Sequence, residues 1–376
     1  MKIIKYKCQS RGDEKWDFSE VEFGNLNLLV GDTATGKTKF LNTLFNLGAF
    51  VARDEYRVGF WDITFEQNSS TYRWMLEADN LENPQDQRIL SEKLTKIEQD
   101  NEILLIERTV DKFIFMKSQL PKLSPNITAI SLFKEEDVIR PIHEGFGKIR
   151  RRRFFHDALS KITELDPIPQ ELLESFQKKQ AENQLSSSRL GLNATLYILS
   201  LYFKDKFDVI RENFKIAFPF VADTKILDFS QVINQIRLPV EIPVFCIKEK
   251  STDVWIPITE ASSGMQKVLL ILTDTYTLPE GSIYIIDEYE NSLGLNAIDF
   301  FPNFLLSFEK EMQFFLTSHH PYIINEIPPK NWYVFNRRGN KVTIKYGEEI
   351  EKRFGKSRQQ AFIQLINDPF YTEGVK

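Results

Sequence analysis

The feature that most constrains this chain is a glycine-rich octapeptide, GDTATGKT, at residues 31–38. It satisfies the pattern G-x-x-x-x-G-K-[ST], and it lies between an apolar run, LNLLV, and a segment with helical spacing of apolar residues. Glycines let backbone N–H groups curl around a phosphate, and the N-terminus of the following helix adds a favourable field. The sequence therefore predicts a strand, a phosphate-binding loop and a helix, in that order.

Two side chains at the end of the octapeptide have separate predicted roles. Lys37 reaches the β- and γ-phosphates of a nucleotide, and the Thr38 hydroxyl is a potential ligand of Mg²⁺. The simpler interpretation is a strand-to-helix turn that matches the pattern by chance, and the flanking elements argue against it. We expect the nucleotide to be bound by these residues of the loop and helix: Gly31, Thr33, Thr35, Gly36, Lys37, Thr38 and Lys39.

Hydrophobic patterning along the rest of the chain predicts a mixed α/β protein. Alternating or continuous apolar runs predict strands, and apolar residues at a spacing of 3.6 predict helices. The stretch 111–146 is interrupted by prolines and predicts no clear element. Strands are predicted at 2–7, 21–31, 282–287 and 313–318, and as hairpins around 68–70 and within 238–260. Helices are predicted at 38–50, 83–107, 187–218, after 264 and up to about 311.

An apolar run that ends in two acids, SIYIIDE, occupies residues 282–288. It matches a Walker B strand, in which the aspartate holds Mg²⁺ and the next glutamate orients or deprotonates the attacking water. By this match Thr38 and Asp287 are the predicted metal-binding residues, and Glu288 is the predicted general base. The alternative is a buried strand that merely ends in a polar turn, which is less plausible beside a phosphate loop.

Two further segments flank this strand in sequence. Upstream, residues 260–267 (EASSGMQK) precede an apolar helix, and a helix N-terminus preceded by Ser and Gly suits phosphate binding on physical grounds. Downstream, residues 313–321 (QFFLTSHHP) form a predicted strand that ends in two of the four histidines of the chain. An ordinary serine N-cap and structural histidines are the simpler interpretations.

The order and spacing of these four segments resemble those of ABC-type ATPase heads. The phrase IDEYENSLG resembles the RecF, SMC and OLD-like branch of the AAA family ATPases, and the resemblance extends from Gly31 to Pro321. It implies an α/β P-loop NTPase fold with a mixed sheet flanked by helices and an inserted, mainly helical lid or arm. It also implies an N-terminal lobe at 1–80, this insertion at 81–225 and a C-terminal lobe at 226–376.

The resemblance further implies how a complete site is assembled. In this family two heads enclose two nucleotides, and each site joins the phosphate loop of one subunit to the signature segment of the other. By that resemblance Ser262 and Gly264 bind the γ-phosphate held by the partner, and His319 contacts the γ-phosphate. The implied catalytic residues are Glu288, His319 and Lys37, the implied cofactors are ATP and Mg²⁺, and the implied assembly is a nucleotide-bridged homodimer or a larger oligomer.

Three positions keep two interpretations each. Gln67, after a predicted strand, is a candidate for the Q-loop glutamine of the family, but a polar hairpin residue is at least as plausible. Arg11 occupies roughly the place of an arginine near the nucleotide in relatives, and a surface arginine fits equally well. The basic run Arg150–Arg153 could contact nucleic-acid phosphates, although a solvated helix face or a subunit ion-pair surface is favoured.

Composition narrows the function classes further. A net charge of −5 over 376 residues, with a pI of about 5.7, argues against a protein that coats nucleic acid with its whole surface. Two distant cysteines, Cys8 and Cys246, argue against a disulfide framework or a cysteine zinc cluster and favour a reducing, cytoplasmic compartment. No apolar run reaches membrane-spanning length, so we expect no membrane association.

These observations favour one function over two others. In the first, ATP-dependent dimerisation gates or scaffolds a separate effector such as a nuclease, as in bacterial anti-phage defence, because the tail after Pro321 is too short for a nuclease domain of the OLD type. In the second, a DNA repair or recombination ATPase acts directly on DNA, for which only Arg150–Arg153 offers a basic surface. The third, a P-loop GTPase or small-molecule kinase, lacks the N-K-x-D motif for guanine.

Overall fold

The protein forms two compact units. The first unit contains Met1–Arg152, Glu280–Tyr289 and Glu309–Lys376, and the second contains Arg153–Pro279 and Glu290–Phe308. These units divide the chain at other points than the three predicted segments. The computed structural model describes residues 1–11, 15–80, 86–99, 101–122, 124–153, 165, 167–177, 185, 190–232, 241–291, 293–349 and 358–372.

Most strands of the described residues lie in the first half of the chain, where six of them follow one another without an intervening helix. Within the described residues the strands are β1 (Lys2–Ser10), β2 (Trp16–Glu22), β3 (Leu26–Val30), β4 (Gly59–Gln67), β5 (Ser70–Asn80), β6 (Gln87–Glu98), β7 (Asn101–Thr109), β8 (Phe113–Phe115), β9 (Ser118–Gln119), β10 (Ile149–Arg153), β11 (Val221–Asp228), β12 (Pro243–Glu249), β13 (Trp255–Pro257), β14 (Ser282–Asp287), β15 (Met312–Thr317), β16 (Trp332–Arg338) and β17 (Lys341–Tyr346).

The helices are mostly short. In the same part of the chain they are α1 (Lys37–Ala52), α2 (Ala129–Leu132), α3 (Arg140–Gly147), α4 (Gln170–Gln177), α5 (Leu192–Tyr202), α6 (Lys204–Ala217), α7 (Phe229–Val232), α8 (Ser263–Thr277), α9 (Leu295–Leu306), α10 (Pro321–Glu326), α11 (Arg358–Asn367) and α12 (Pro369–Thr372). Two 3₁₀ turns, at Ile258–Glu260 and Pro329–Asn331, complete the described elements.

The first unit is built on one large mixed sheet. Its strand order among the described residues is β10-β14-β15-β3-β16-β17-β2-β1-β4-β5-β6-β7-β8-β9. Strands β14, β15, β3 and β16 run parallel, and the first three are buried along their whole length, which explains their continuous apolar runs. Because these strands are parallel, their carboxyl ends lie at one edge of the sheet, where ligands bind in α/β folds. This mixed sheet with flanking helices is the predicted fold class.

Helix α1 is held against the sheet by aromatic side chains. The ring of Phe40 contacts those of Tyr6, Phe18 and Phe335 at centroid distances of 5.3, 5.4 and 5.4 Å. Burial of one such side chain contributes roughly 2–3 kcal/mol to stability. The helix predicted at 38–50 is confirmed, and this packing places its first turn at the edge where the parallel strands end.

The antiparallel half of the sheet corrects one prediction. The hairpin around 68–70 is confirmed, since β4 and β5 pair through Gln67 and Ser70. The helices predicted at 83–107 are wrong, because β6 and β7 form a second antiparallel pair there. Register shifts in the β5–β6 and β6–β7 pairs interrupt the two-residue alternation. The apolar residues of β6 therefore fall at a spacing that imitates a helix.

The second unit contains α4–α9 and a three-stranded antiparallel sheet in the order β11-β12-β13. Helices α5 and α6 confirm the helix predicted within 187–218, and β12 and β13 confirm the predicted hairpin. Helix α9 ends at Leu306, earlier than the predicted end near Glu311, with Ser307 as its C-cap. The unassigned stretch 111–146 contains β8, β9, α2 and α3. Among the described residues, no helix has the length and apolar composition needed to cross a membrane.

Candidate functional site

The loop between β3 and α1 has the close packing and backbone conformation that require glycine. Gly31 and Gly36 have φ angles of 155° and 95°, in the region that residues with a side chain rarely adopt. A Cβ atom at Gly31 would lie 2.7 Å from the carbonyl oxygen of Phe335, and a Cβ atom at Gly36 would lie 2.6 Å from the ring of Trp16. A larger residue at either position would therefore displace the loop.

Lys37, the first residue of α1, is almost completely buried. Its Nζ donates to the carbonyl oxygens of Gly31 (2.8 Å) and Asp32 (2.9 Å) and to Oγ1 of Thr35 (3.3 Å). These acceptors all belong to the glycine-rich loop. The ammonium group is thus held within the curve of the loop, where it can exchange carbonyl partners for phosphate oxygens.

The carboxylate of Asp287, at the end of β14, joins three elements. Its Oδ1 accepts from Oγ1 of Thr38 at 3.1 Å and from Oγ1 of Thr317 at 2.9 Å. Thr38 belongs to the first turn of α1 and Thr317 is the last residue of β15. The structure therefore brings together the two residues predicted to hold a metal ion. Thr317, which the sequence did not single out, also donates to the Asp287 carboxylate and so helps to fix its orientation.

Glu288 lies directly after this aspartate in a left-handed backbone conformation, with a φ angle of 51°. Its backbone N–H donates to Oγ1 of Thr317 at 2.7 Å, and the N–H of Tyr289 donates to the carbonyl oxygen of Thr317 at 3.0 Å. Both Glu288 and His319 are exposed. Glu288, in the turn after β14, and His319, just after β15, both line one cavity beside the loop.

This cavity, of about 490 Å³, lies at the carboxyl edge of the parallel strands. All of the residues around it belong to the first unit, and they include six of the seven residues predicted for the phosphate loop and its helix. The cavity is lined by Trp16, Thr33, Ala34, Thr35, Gly36, Lys37, Thr38, Lys39, Asn42, Glu288, Thr317, His319 and Arg337.

An aromatic wall of the cavity was not predicted. Trp16, the first residue of β2, stacks on Phe18 with ring centroids 6.0 Å apart. The Nζ of Lys39 lies 4.6 Å from the ring centroid of Trp16, and the guanidinium carbon of Arg337 lies 4.7 Å from it. Both distances fit cation–π contacts. No sequence signal could have identified Trp16 or Arg337, because each is far from every motif and reaches the cavity only through the order of strands.

Arg151, in β10, makes a buried ion pair with the Walker B aspartate. Its Nη2 lies 2.8 Å from Oδ2 of Asp287, and the two side chains are 5% and 8% exposed. Its Nη1 donates to Oδ1 of Asn42, one turn beyond the start of α1. The prediction of an exposed basic surface at Arg150–Arg153 is therefore wrong for Arg151, because its guanidinium is turned into the site. The side chain of Arg153 lies outside the described residues.

Gln67 and Arg11, which each had two interpretations from the sequence, lie away from the cavity. Gln67, at the end of β4, lines a separate cavity with Gly281, which precedes β14. Asp287 is at the opposite end of this six-residue strand, roughly 20 Å away. Gln67 is therefore not a ligand of the site around Asp287. Arg11 donates to two carboxylates of β5, including that of Asp79 at 3.1 Å, and so has the role of a sheet ion pair.

The signature-like segment belongs to the second unit, where α8 begins. Ser262 caps this helix, and its Oγ accepts from the backbone N–H of Met265 at 3.3 Å. Gly264 is buried in the first turn. Lys267, fully buried one turn later, donates from Nζ to the carbonyl oxygen of Asn291 at 2.8 Å. The serine N-cap is thus present, and the unpredicted Lys267 ties the helix to the segment that follows the Walker B strand in sequence.

The residues of the first unit fit a magnesium nucleotide. Mg²⁺ is usually bound by one or two carboxylates together with substrate phosphates and water, rather than by a protein cage. Thr38 and Asp287 supply one hydroxyl and one carboxylate, 3.1 Å apart, beside the loop that holds the ammonium group of Lys37. Among the described residues, no group of three or more His, Cys, Asp or Glu side chains could hold a metal alone.

Comparison with known proteins identifies a family and a fold. The family model described as "AAA domain, putative AbiEii toxin, Type IV TA system" matches residues 26–325. A crystal structure of an SmcHead bound to the C-winged helix domain of ScpA aligns with a TM-score of 0.50 and 10% identity, over 92% of this chain and 98% of that one. Comparison with curated proteins gives no significant match.

A second solved structure gives the same result. It is an Smc head domain with an extended coiled coil, bound to the C-terminal domain of ScpA derived from Pyrococcus furiosus, and it aligns with a TM-score of 0.50 and 10% identity over 94% of this chain and 98% of that one. At such identity the likeness shows the fold alone. The chain therefore belongs to the AAA family that matches residues 26–325, and its fold is that of an ATPase head of the RecF, SMC and OLD-like kind.

Proposed function

We propose that this chain binds and hydrolyses ATP with Mg²⁺, and that its ATP-dependent dimerisation gates or scaffolds a partner effector in bacterial anti-phage defence. The observation that carries the proposal is that the phosphate loop, Thr38 and the predicted general base line one cavity, while Asp287 is bonded to Thr38 directly behind it. In the proposed site, Lys37, Thr38, Asp287 and Glu288 act on one nucleotide.

Each of these residues has a role that its surroundings support. Lys37 and the amides of the loop bind the β- and γ-phosphate oxygens. Thr38 and Asp287 hold Mg²⁺, whose charge offsets that of the phosphates. Glu288, exposed at the turn after β14, orients the attacking water or accepts its proton, and His319 contacts the γ-phosphate.

The simplest test of the proposal is ATP turnover. Purified protein is expected to release phosphate from ATP only when Mg²⁺ is present. Lys37→Ala is expected to lower nucleotide affinity, measured by calorimetric titration, because the cation within the loop is lost. Nucleotide binding that does not change in Lys37→Ala would overturn the assignment of the phosphate loop.

The second half of a complete site comes, in this proposal, from another copy of the chain. Ser262 and the amides at the start of α8 bind the γ-phosphate of the partner's nucleotide, so that ATP joins two subunits and hydrolysis separates them. Glu288→Gln with ATP and Mg²⁺ is expected to double its mass in light scattering. Adding Ser262→Arg is expected to prevent the doubling while ATP still binds, and a dimer that survives this change would contradict the trans site.

A separate effector is supported by what the related proteins are. The description of the matching family names a putative toxin of a type IV toxin–antitoxin system. A toxin of such a system acts together with a second component, the antitoxin. The two aligned Smc heads are each bound to a domain of ScpA. Affinity purification of Glu288→Gln with ATP and Mg²⁺ from native cells is expected to recover a specific partner protein. Recovery of DNA without a protein would instead favour the repair function.

A further inference from the structure

We propose that Arg151 is a built-in cation of the nucleotide site, which neutralises Asp287 in the nucleotide-free protein and competes with the divalent metal ion for it. The proposal rests on the proposed ATP-binding function and adds to it a residue that sets the metal requirement. It concerns the Asp287 carboxylate and the Arg151 guanidinium, which are in direct contact at 2.8 Å.

The first argument is the position of this pair relative to the cavity. Thr38, Asn42 and Thr317 all line the cavity, and each of them is hydrogen-bonded to Arg151 or Asp287. The pair therefore lies directly behind side chains that line the cavity next to the phosphate loop.

The second argument is the use of the carboxylate oxygens. Oδ1 of Asp287 accepts hydrogen bonds from the hydroxyl groups of Thr38 and Thr317, and Oδ2 accepts one from the guanidinium of Arg151. The hydroxyl of Thr38 donates to the same carboxylate that would share a metal ion with it. Both oxygens of the Asp287 carboxylate are thus occupied by groups of the protein, and one of these groups carries a full positive charge.

The third argument is electrostatic. Two cations beside one buried carboxylate repel each other strongly, since little water is present to screen them. A metal ion at Thr38 and Asp287 therefore weakens the hold on Arg151, and Arg151 weakens the hold on the metal. Asn42 gives the guanidinium a second, neutral partner on α1. The arginine can consequently loosen its contact with Asp287 without losing every hydrogen bond.

Magnesium dependence of nucleotide binding measures this competition directly. A fluorescent, non-hydrolysable ATP analogue is titrated into the full chain at free Mg²⁺ concentrations set with EDTA. Arg151→Gln is expected to reach half-maximal binding at a Mg²⁺ concentration on the order of 10-fold lower than the wild type, which is the scale on which groups next to metal ligands alter metal affinity. The matched control is Arg150→Gln on the same strand, because successive side chains point to opposite faces, and it is expected to behave as the wild type.

A second measurement does not depend on the nucleotide. Mn²⁺, which accepts the same oxygen ligands as Mg²⁺, is followed by electron paramagnetic resonance, and Arg151→Gln is expected to bind it more tightly than the wild type. Mg²⁺ alone is expected to raise the melting temperature of Arg151→Gln, where Asp287 has lost its cation, and to leave that of the wild type unchanged. Arg151→Lys keeps the charge and tests the proposal if the glutamine variant is unstable; its metal requirement is expected to stay close to that of the wild type.

Three results would overturn the proposal. The first is an Arg151→Gln protein that needs as much Mg²⁺ as the wild type. The second is loss of analogue binding in Arg151→Gln at saturating Mg²⁺, since that would assign the guanidinium to the nucleotide itself. The third is a wild-type chain that binds no analogue at any Mg²⁺ concentration, which would overturn the ATPase function as well and so is distinct from the first two.

Discussion

Two buried pairs of an arginine and a carboxylate in the first unit invite comparison. Arg151 and Asp287 lie 2.8 Å apart at the carboxyl edge of the parallel strands, whereas Arg108 and Glu92 lie 3.9 Å apart between the antiparallel strands β6 and β7. The side chains of both pairs are at least nine-tenths buried. Burial and charge alone would give them the same role.

The partners of the two pairs differ. Glu92 accepts from the indole of Trp74 at 3.2 Å and from the backbone N–H of Ala129 at 2.8 Å, and Arg108 donates to the carbonyl oxygens of Ser124 and Ile127. Each charge is therefore satisfied by neutral groups that tie one loop to the sheet. The pair of Arg151 and Asp287 is instead bonded to residues that line the cavity beside the glycine-rich loop. We infer that the pair of Arg108 and Glu92 stabilises the fold, whereas the pair of Arg151 and Asp287 tunes a ligand site.

The largest expected effect comes from replacing Glu288, the glutamate that lines the cavity. Glu288→Gln is expected to lower the turnover number for ATP by about 10²–10⁴-fold, because a general base contributes on that scale. Nucleotide affinity and the melting temperature are expected to be retained, since the side chain is exposed. Phosphate release and equilibrium binding measure the two properties, and wild-type turnover in Glu288→Gln would remove this residue as the base.

The next largest effect concerns the arginine of the structural pair. Arg108→Met is expected to destabilise the protein by about 3–5 kcal/mol, because it leaves a buried carboxylate without its charge partner. Urea unfolding measures the loss, with Lys122→Met, at an exposed ion pair, as the control. The Mg²⁺ concentration needed for analogue binding is expected to be unchanged. A shift of that concentration in Arg108→Met would break the distinction between the two pairs.

The glutamate of the structural pair is expected to make stability depend on pH. Burial raises the pKa of Glu92 from 4.5 to about 7. The folded state therefore binds more protons than the unfolded state between these values, so the contribution of Glu92 is full below pH 4.5 and is lost as the pH rises through 7. This difference between the two pKa values corresponds to about 3 kcal/mol of folding free energy.

Glu92→Gln is the matched counterpart of the substitution in the cavity. It replaces the carboxyl group with an amide that does not titrate, and the difference in unfolding free energy between variant and wild type is expected to change with pH across this window. Urea unfolding at pH 5 and above pH 7 measures the difference, and ATP turnover is expected to stay at the wild-type level. A difference that is constant across the window would contradict the raised pKa.

The smallest expected effect comes from removing the hydroxyl of Thr317, at the end of β15 next to β14. Thr317→Val removes the donor to Asp287 and the acceptor of the Glu288 N–H, and we expect turnover to fall about tenfold, which corresponds to one hydrogen bond of about 1.4 kcal/mol. Thr317→Ser keeps the hydroxyl and is expected to retain most activity. Equal losses in the two variants would assign the effect to the methyl group instead of the hydrogen bonds.

Local pattern predicted the parallel core of this protein and the hairpin of β4 and β5, and it failed for β6 and β7 in the antiparallel half. Strands such as β14 are apolar throughout, so their type is evident without their neighbours. In β6, by contrast, a register shift opposite Ala78 and the buried polar residues Glu92 and Thr95 remove the two-residue alternation. The pairing with β5 and β7 decides that this segment is a strand, and pairing between distant segments is not visible in a local window.

The cavity teaches the same lesson about side chains. Lys37, Thr38, Asp287 and Glu288 were predictable, because a phosphate loop and an acidic strand end need fixed residue types at fixed spacing. Trp16 was not, since nothing in its neighbourhood distinguishes it from an ordinary core aromatic. Thr317 was within a recognised motif, but its bond to the aspartate depends on β14 and β15 being neighbours.

The sequence by itself determined that the chain carries the glycine-rich pattern of a phosphate loop, an apolar strand that ends in two acids and an α/β core, because each of these depends on residues that are close together along the chain. Only the tertiary structure decided which distant residues complete the site. The run Arg150–Arg153 shows the difference: its charge is evident from the sequence, but the direction of Arg151 is set by the position of β10 next to β14. Strand order brings a guanidinium onto a carboxylate 136 positions away, and no local pattern encodes that contact.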